Sequence, residues 1–431
     1  MLDIRFIHDN ATRVQEASEQ KGYKVNIAEL LSIDDSRRDL LASVESLRQK
    51  RNEIAGSMKG GKPSAELVEE GKRIKAELAT QEEELRAIDE QFLKLLKQVP
   101  NMPMPDVPVG ASEDENVVVK TVGDKPEFAF EPKSHWQLAE ARDWIDKERA
   151  AKVAGARFAY VKGELALLWL AVVNFGVSVL TNEETLKKII ADAGIDVPST
   201  PFRLVFPPAV AKTDVYEATG RLNKEEQTYK LADDDLWLNA SAEHTLCAMY
   251  YKEILDEAQL PLRYVGYTTA FRREAGTYGK DTEGIFRLHQ FDKLEMESFT
   301  TGDTSLQEHF LMIAIQEYLM SQLGLPYQVL NKCTADIGKP NARGVDIEVW
   351  LPSQGKYRET HTADLITDYQ TRSLQTRVRR TGGEVELAHT NDATAFSQRP
   401  LIGILENFQN EDGTVTVPEV LRPFLGGREV L

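Results

Sequence analysis

The sequence predicts an α+β protein in which a long antiparallel helical hairpin precedes a domain built on a largely antiparallel sheet. Apolar residues recur at helical spacing, with almost no proline, from residue 26 to 98. Strand-like runs at 263–275 and 286–301 then follow in meander order, with helices expected at 304–323 and 401–408. A proline-rich linker at 99–116 separates the two patterns, so we place the domains at 1–110 and 111–431.

The hairpin consists of two helices joined by a turn. Apolar positions from Leu30 to Leu47 mark the first helix, and those from Leu67 to Leu96 mark the second, with spacings of three, four and seven. The glycines and proline of residues 56–64 end the first helix, and Ser64 is placed to cap the second. A helix of about 35 residues rises roughly 50 Å, so we expect a projecting coiled-coil arm.

The charge distribution limits the surface that can bind nucleic acid. The net charge of −17 argues against a protein that coats nucleic acid or anionic membrane with its whole surface. Between residues 48 and 75, however, eight basic residues outnumber four acidic ones. This excess suggests contact with a phosphate backbone, although a solvated coiled-coil face explains the charge alone equally well. The basic residues are Arg48, Lys50, Arg51, Lys59, Lys62, Lys72, Arg73 and Lys75.

The cysteines and the N-terminus indicate a reducing cytoplasm. Cys247 and Cys333 form neither a disulfide framework nor a C-x-x-C pair, so we expect no zinc site. The N-terminus has no basic start followed by an apolar run, which argues against a signal peptide. The apolar run 165–180 is short of the ~20 residues that span a bilayer and contains Asn174. We expect a buried helix there, with a membrane segment as the weaker alternative.

Side chains that could carry chemistry concentrate between residues 271 and 295. If the flanks are paired strands, the period of two places Arg272 with Glu274 on one face, and Phe291, Lys293 and Glu295 together on the partner strand. Arginine is a forked phosphate donor and carboxylate binds ammonium, so this set suits a nucleotide attached to a small amino acid. Taken singly, the same residues also fit an ordinary hairpin with an exposed charge ladder.

The same segment carries a family resemblance. The string FRREAG…DTEGIFRLHQFDKLE (271–295) resembles motif 2 of class II aminoacyl-tRNA synthetases, and its ending, HQFDK-x-E, is similar to the seryl-tRNA synthetases. Matching segments occur in the family's order along nearly the whole chain: YEATGRL (216–222), ASAE (240–243), DIEVWLPSQGKYRET (346–360) and DYQTRS (368–373). The resemblance implies a class II synthetase catalytic domain that joins serine to ATP, and an arm that grips the long variable arm of serine-accepting tRNA.

The resemblance also implies roles for residues that bind ATP. Arg272 would hold the α-phosphate beside the serine carboxylate, Phe291 would stack on adenine, and Arg287 with Arg399 would clamp the γ-phosphate. Glu274 would accept a hydrogen bond from the adenosine end or from the terminal adenosine of tRNA. The implied ATP-binding residues are Arg272, Arg273, Glu274, Arg287, Phe291, Glu359, Thr360, His361, Thr362 and Arg399, and the implied catalytic residues are Arg272, Glu359 and Arg399.

The implied cofactor is Mg²⁺, held by Glu359 and Thr362. Magnesium takes hard oxygen ligands, often only one or two from the protein, which a carboxylate and a hydroxyl can supply. The implied serine-binding residues are Ser241, Ala242, Glu243, Arg272, Glu295, Asn391, Ala393 and Thr394, with Glu295 on the serine ammonium.

Three departures from the family pattern bear on these roles. Ser241 stands where the family has threonine, which keeps the hydroxyl and loses a methyl group. The stretch from Glu359 to Thr362 replaces a serine-rich run of the family, and its His361 is either a structural histidine or a new phosphate contact. In HTNDATAFSQR (389–399), the spacing from Asn391 to Arg399 matches the family and places Ala393 where the hydroxyl belongs. We therefore expect Thr394 to supply that hydroxyl.

The partners follow from the resemblance: tRNA(Ser) with tRNA(Sec), ATP, L-serine and a second copy of the chain, but neither membrane nor DNA. The homodimer would form through motif 1, the 164–180 helix and the strand that reaches Pro207 and Pro208. Two alternatives stay open. One is an RNA-binding paralogue with impaired catalysis, and the other is a ligase that loads an amino acid onto a carrier protein. Such carrier ligases lack a long arm.

Overall fold

The computed structural model describes residues 1–58, 64–222, 228–274 and 284–431. Within it, the chain divides into two compact units, Met1–Met102 and Pro103–Leu431. The boundary at 110/111 stays a prediction. Lys59 and Lys62, two of the eight basic residues of the arm, lie outside the described residues.

The N-terminal unit contains the helical hairpin that the sequence predicts. Its helices are α1 (Ile4–Asp9), α2 (Ala11–Gln20), α3 (Ile27–Ser57) and α4 (Ala65–Leu96). The Ser64 hydroxyl accepts a hydrogen bond from the backbone N–H of Leu67, so the expected cap is present. Val44 and Leu47 of α3 pack against Ile74 and Leu78 of α4, which is the apolar stripe expected from the spacing.

The second unit is built on an eight-stranded sheet. Its strand order is β1-β10-β11-β12-β15-β9-β8-β4, antiparallel except for the parallel pair β4 and β8. The strands are β1 (Val117–Val122), β2 (Ile145–Asp146), β3 (Tyr160–Val161), β4 (Arg203–Val205), β5 (Val210–Lys212), β6 (Leu236–Leu238), β7 (Ile254–Asp256), β8 (Leu262–Phe271), β9 (Gln290–Thr300), β10 (Tyr327–Asn331), β11 (Arg343–Leu351), β12 (Lys356–Thr367), β13 (Arg377–Arg379), β14 (Val385–Leu387) and β15 (His389–Ser397).

Helices pack against both faces of this sheet. They are α5 (His135–Ala141), α6 (Lys147–Ala154), α7 (Gly163–Leu180), α8 (Glu183–Ala193), α9 (Thr213–Ala218), α10 (Glu243–Leu246), α11 (Ser305–Leu323), α12 (Tyr369–Leu374) and α13 (Arg399–Asn407). Residues of α7, α11 and α13 form the main core with Leu294, Met296, Ala363 and Ala393 of the central strands. The alternate residues of the same strands therefore face the other side of the sheet, where the candidate site lies.

Helix α7 packs closely on the sheet. A Cβ atom on Gly176 would lie 2.8 Å from the ring of Phe396, so only glycine allows this approach. By length and composition α7 could cross a membrane, with a mean hydropathy of 1.8, but half of it is buried within the protein. Its outer face carries Leu167 and Leu170, each about half exposed.

The central hairpin is shorter than the sequence predicts. Strand β8 ends at Phe271 and β9 begins at Gln290, so Arg272 and Glu274 lie beyond the ladder rather than on alternating strand positions. Glu274 has a positive φ of 50°, which ends the extended conformation. The predicted antiparallel pairing of the two strands is present.

Candidate active site

A cavity of about 510 Å³ opens on the face of the sheet opposite α7 and α11. Its walls combine side chains from β9, β12 and β15 with the loops after β8 and before β9. Twelve of the residues expected at the site line this cavity: Ser241, Glu243, Arg272, Glu274, Arg287, Phe291, Glu295, Glu359, Thr360, Thr362, Thr394 and Arg399.

One end of the cavity suits a purine nucleotide. The guanidinium carbon of Arg272 lies 5.1 Å from the centre of the Phe291 ring, and its Nε donates to the carbonyl of Ala240 at 3.1 Å. The Arg287 guanidinium pairs with the Glu274 carboxylate at 2.8 Å. An aromatic surface and two arginines therefore lie within one wall, as stacking on a base and binding of phosphates require.

A second arginine cluster stands at the start of α13. Arg399 pairs with the Glu359 carboxylate at 3.0 Å, and its guanidinium carbon lies 4.8 Å from the centre of the Phe286 ring. Arg358 lies over the same ring at 3.9 Å. Burial disfavours the charged form of Glu359, but the positive charges of Arg399 and Lys332 outweigh it and lower the pKa of this carboxyl to about 2.

The expected magnesium ligands form a suitable set of hard oxygens. The Thr362 hydroxyl lies 3.5 Å from a carboxylate oxygen of Glu359 and donates to Asp346 at 2.6 Å. Two neighbouring oxygen ligands of a magnesium ion, each about 2.1 Å from the metal, lie roughly 3 Å from each other. The oxygens of Glu359 and Thr362 therefore have a separation that fits one shared magnesium ion. Glu359 remains ionised at neutral pH, as such a ligand must.

The other end of the cavity is small and acidic. Glu295 is buried and pairs with the Lys293 ammonium at 2.5 Å, and Lys293 also donates to the Ser241 hydroxyl at 3.3 Å. Burial raises the pKa of Glu295, and the Lys293 charge opposes this. Phe291, Lys293 and Glu295 share one face of β9 and all line the cavity, as the period of two predicts.

Beneath this end, Arg221 connects several acidic groups. Its guanidinium pairs with the Glu243 carboxylate at 2.6 Å, and Gln370 donates to the same oxygen at 3.0 Å. Burial opposes ionisation of Glu243, but the charge of Arg221 outweighs it and lowers the pKa. Glu243 is therefore held as a carboxylate at the wall of the cavity.

Five of the expected residues do not line the cavity. Ala242 packs against Gly266 of β8, and Arg273 donates to the carbonyl of Thr228 and stacks over Tyr229. The others, His361, Asn391 and Ala393, alternate with the cavity-facing residues of β12 and β15.

His361 has the contacts of a structural histidine. Its Nδ1 lies 2.8 Å from the Thr360 hydroxyl, and its Nε2 lies 3.0 Å from the carbonyl of Ala395. Burial lowers its pKa to about 4, so the ring is neutral at pH 7. Of the two interpretations left open by the sequence, this geometry supports the structural one over a phosphate contact.

The residues of β15 that line the cavity differ from those expected from the spacing between Asn391 and Arg399. Asp392 and Thr394 face the cavity, while Asn391 bonds to Ser298 and Ala393 belongs to the core. A bulge between residues 394 and 396 changes the register before Ser397. Thr394 lines the cavity directly opposite Glu295, and its role as the source of the serine-binding hydroxyl stays a prediction.

The cavity also contains residues that the sequence did not identify. The alternation of β12 and β15 could have located Asp364 and Asp392, each two positions from an expected site residue. His244, Phe286, Ser397 and Gln398 lie within two positions of expected site residues, and Arg221 and Lys332 come from other segments. No periodicity in the sequence predicts that these side chains face the cavity. The additional polar and aromatic lining residues are Arg221, His244, Phe286, Lys332, Asp364, Asp392, Ser397 and Gln398.

The basic residues of the arm lie on exposed positions. Arg48 pairs with Glu82 at 2.7 Å, and Lys72 pairs with Glu69 at 2.7 Å. The exposed basic residues of the described part are Arg48, Lys50, Arg51, Lys72, Arg73 and Lys75.

Comparison with known families agrees with both units. Residues 1–103 match the model of the seryl-tRNA synthetase N-terminal domain. Residues 227–408 match the class II core domain of the G, H, P, S and T tRNA synthetases.

Individual relatives match along the full length. The serine–tRNA ligase of Symbiobacterium thermophilum is 40% identical over 430 residues, which cover 98% of each chain. The crystal structure of seryl-tRNA synthetase from Pyrococcus horikoshii complexed with ATP superposes with a TM-score of 0.86 at 35% identity, covering 100% of this chain and 99% of that one. The cytoplasmic serine–tRNA ligase of Naegleria fowleri, in complex with AMP, gives 0.81 at 27% identity, with 98% and 95% covered. The chain therefore belongs to the seryl-tRNA synthetase family.

Proposed function

We propose that this protein is a serine–tRNA ligase that forms seryl-adenylate from L-serine and ATP and transfers the seryl group to the 3′ end of tRNA(Ser), and of tRNA(Sec) as well. The observation that carries the proposal is one continuous cavity with Phe291 at one end, the buried carboxylate of Glu295 at the other, and Arg272 between Phe291 and Ala240. Its volume of about 510 Å³ suits an amino acid joined to a nucleotide.

The chemistry that these residues support is electrostatic. A serine carboxylate oxygen bonds to the α-phosphorus of ATP while the bond to the pyrophosphate oxygen breaks. Two anions must approach each other, so the protein has to supply positive charge and alignment rather than a proton acceptor. Arg272 would bind both reacting groups, and Arg287 and Arg399 would bind the outgoing phosphates. Guanidinium groups keep their charge throughout the neutral range.

Serine binding would use the acidic end of the cavity. Glu295 would accept hydrogen bonds from the substrate ammonium in addition to the one from the Lys293 ammonium already beside it. The hydroxyls of Ser241 and Thr394 line the same end and can bond to the serine side chain. A site that binds a hydroxyl rejects alanine and glycine, because its own polar groups would be left unpaired.

Magnesium is the cofactor that the donor set supports. Glu359 and Thr362 would hold it, and when bound it supplies positive charge that neutralises the phosphate oxygens of ATP. The residues of the chain act beside it: Arg399 orients Glu359 through their ion pair, and Asp346 accepts the hydrogen bond that orients Thr362.

Replacing Glu359 by glutamine is expected to raise the magnesium concentration needed for half-maximal serine activation about tenfold, because one charged ligand becomes neutral. A magnesium titration of serine-dependent ATP–pyrophosphate exchange measures this. Glu348→Gln serves as the matched control, since Glu348 lies opposite Glu359 in the ladder and bonds to Gln328. An unchanged magnesium requirement in the Glu359→Gln protein would remove Glu359 from the metal site.

The proposals for tRNA binding, dimerisation and the cellular compartment rest on features outside the cavity. The exposed basic residues of the arm are suited to shape-directed contact with an RNA helix. A homodimer would cover the exposed Leu167 and Leu170 of α7 together with Phe206, which is 75% exposed. The cytoplasm is the compartment where an enzyme of translation with two unpaired cysteines would act.

The direct test of the function is ATP–pyrophosphate exchange by the full-length chain with each amino acid in turn, followed by charging of tRNA(Ser). We expect exchange with serine and formation of seryl-tRNA. Exchange with another amino acid alone would reassign the substrate. RNA binding without exchange would indicate the impaired paralogue, and exchange without charging of any tRNA would indicate the carrier-protein ligase.

A further inference from the structure

Two buried acids face each other beneath the serine end of the cavity. Asp392 of β15 and Glu297 of β9 are directly opposed in the antiparallel ladder. Asp392 is 5% exposed and lines the cavity, whereas Glu297 is fully buried behind it. Opposed residues on one face of such a ladder have Cβ atoms about 5 Å apart, close enough for the two carboxyl groups to meet.

The carboxyl group of Glu297 is buried without a hydrogen-bond donor among the described residues. Among the residues that the structure describes, neither of its carboxyl oxygens has a hydrogen-bond partner, and the same holds for one oxygen of Asp392. A buried carboxylate without a donor is costly, whereas a carboxylic acid that donates to a neighbouring carboxylate is not.

The neighbouring positive charge is too small to stabilise all the carboxyl groups of this cluster in the ionised form. The Arg221 guanidinium lies 2.6 Å from Glu243, 3.6 Å from Asp392 and 3.9 Å from Asp364. Arg221 is therefore shared among three carboxyl groups before Glu297 is considered, and Lys332 also stabilises the charge of Asp364. Burial and the surrounding acids raise the pKa of both Glu297 and Asp392 well above the ordinary range. The titratable and charged groups that face the pair are Arg221, Glu243, Cys247, Glu295 and Asp364.

We propose that Glu297 and Asp392 share one proton, and that Asp392 thereby presents a neutral hydrogen-bonding group to the side-chain hydroxyl of serine, next to Thr394. This inference rests on the proposed function, since it concerns selection of the substrate by the same cavity. It makes Asp392, rather than Asn391 or Ala393, the residue that accompanies Thr394 at the floor of the serine pocket.

The arrangement explains how a carboxyl group can lie beside Glu295 without repelling it. The substrate ammonium needs a carboxylate, which Glu295 provides, but its hydroxyl needs only a donor or acceptor of hydrogen bonds. A shared proton gives Asp392 that capacity and keeps a second negative charge out of the pocket. A substrate without a hydroxyl would leave Asp392 and Thr394 unpaired, which is the basis for rejecting alanine.

The experiment compares three full-length variants in serine-dependent ATP–pyrophosphate exchange. Asp392→Ala is expected to raise the KM for serine about thirtyfold, with the KM for ATP within twofold, and to lower the preference for serine over alanine about tenfold. Asp392→Asn is expected to keep the KM for serine within threefold, because the amide has the same shape, carries no charge and both donates and accepts. Ser298→Ala, a buried change on the opposite face of β9, is the matched control and should leave both KM values unchanged.

Two outcomes would overturn the proposal. If Asp392→Asn loses serine binding as severely as Asp392→Ala, an ionised carboxylate is required and no proton is shared. If Asp392→Ala leaves the KM for serine and the preference over alanine unchanged, Asp392 does not contact the substrate. Thermal unfolding checks that each variant is folded, and Asp392→Ser replaces Asp392→Ala in the comparison if the alanine variant does not fold.

A measurement without substrate separates this inference from the proposed function. A proton retained in the folded protein but lost in the unfolded chain makes folding less favourable as pH rises above the ordinary carboxyl range of about 4, by up to tenfold in the unfolding equilibrium constant per pH unit. The double variant Glu297→Gln with Asp392→Asn should show a weaker dependence between pH 5 and 8 than the natural protein. Equal slopes would contradict the shared proton, whereas failure of serine exchange in the natural protein would contradict only the function.

Discussion

Replacing Arg272 by alanine is expected to lower kcat/KM for serine activation at least a thousandfold. The guanidinium stands between the ring of Phe291 and the carbonyl of Ala240, at the junction of the nucleotide and amino-acid ends of the cavity. In the proposed reaction its charge would act where the serine carboxylate meets the α-phosphate. Loss of one such group from a site shielded from water costs about 4 kcal/mol in the transition state. Single-turnover formation of seryl-adenylate measures the effect directly.

The control and the conservative variant make this result specific. Arg377→Ala removes an exposed arginine of β13, outside the cavity, and should leave activation unchanged. Arg272→Lys should recover only part of the rate, since lysine keeps the charge but cannot bind two oxygens with one fork. Retention of more than a tenth of the natural rate by Arg272→Ala would show that another group binds the α-phosphate.

Reversing the charge of the arm is expected to separate tRNA charging from serine activation. Replacement of Lys50, Arg51, Arg73 and Lys75 by glutamate should lower kcat/KM for charging tRNA(Ser) at least a hundredfold at 0.1 M salt, while ATP–pyrophosphate exchange stays within twofold. Each lost phosphate contact reduces counterion release, so the dependence of charging on salt should also become weaker. Aminoacylation at several salt concentrations measures both effects.

The arm supplies its own control. Glu83, Glu84 and Glu90 are exposed on α4, outside the basic region, and their replacement by glutamine should not lower charging. Equal loss of activation and charging in the charge-reversed protein would mean that the substitutions damage the whole chain. Unchanged charging would show that tRNA binds elsewhere.

Regular periodicity made the largest features predictable. The stripe of apolar residues in α3 and α4 and the cap at Ser64 depend on neighbours a few positions away, so the sequence displays them directly. The shared face of Phe291, Lys293 and Glu295 follows from strand geometry in the same way. The resemblance to seryl-tRNA synthetases then implied roles that residue chemistry alone left ambiguous.

Register and long-range contacts account for what the sequence did not reveal. The spacing from Asn391 to Arg399 suggested which residues of β15 face the substrate, but a bulge near Ala395 breaks the simple alternation, and Asp392 occupies the cavity face instead. Arg221 lies within YEATGRL (216–222), but no local pattern predicts that its side chain, or that of Lys332, reaches the cavity. Strand ends at Phe271 and Gln290 were also missed, since the alternation of residue types continues beyond the hydrogen-bonded ladder.

The packing of both Arg358 and Arg399 against the ring of Phe286 has a thermodynamic consequence for the proposed binding of a nucleotide. Arg399 is fixed by the ring on one side and by Glu359 on the other, and it begins a buried helix. Its side chain has therefore already lost its rotational freedom in the folded protein. For a free arginine, this loss of side-chain conformational entropy costs up to about 2 kcal/mol. If Arg399 binds ATP as proposed, the nucleotide would meet a cation that is already ordered. The entropic cost of ordering that side chain would then belong to folding and would not reduce the free energy of binding.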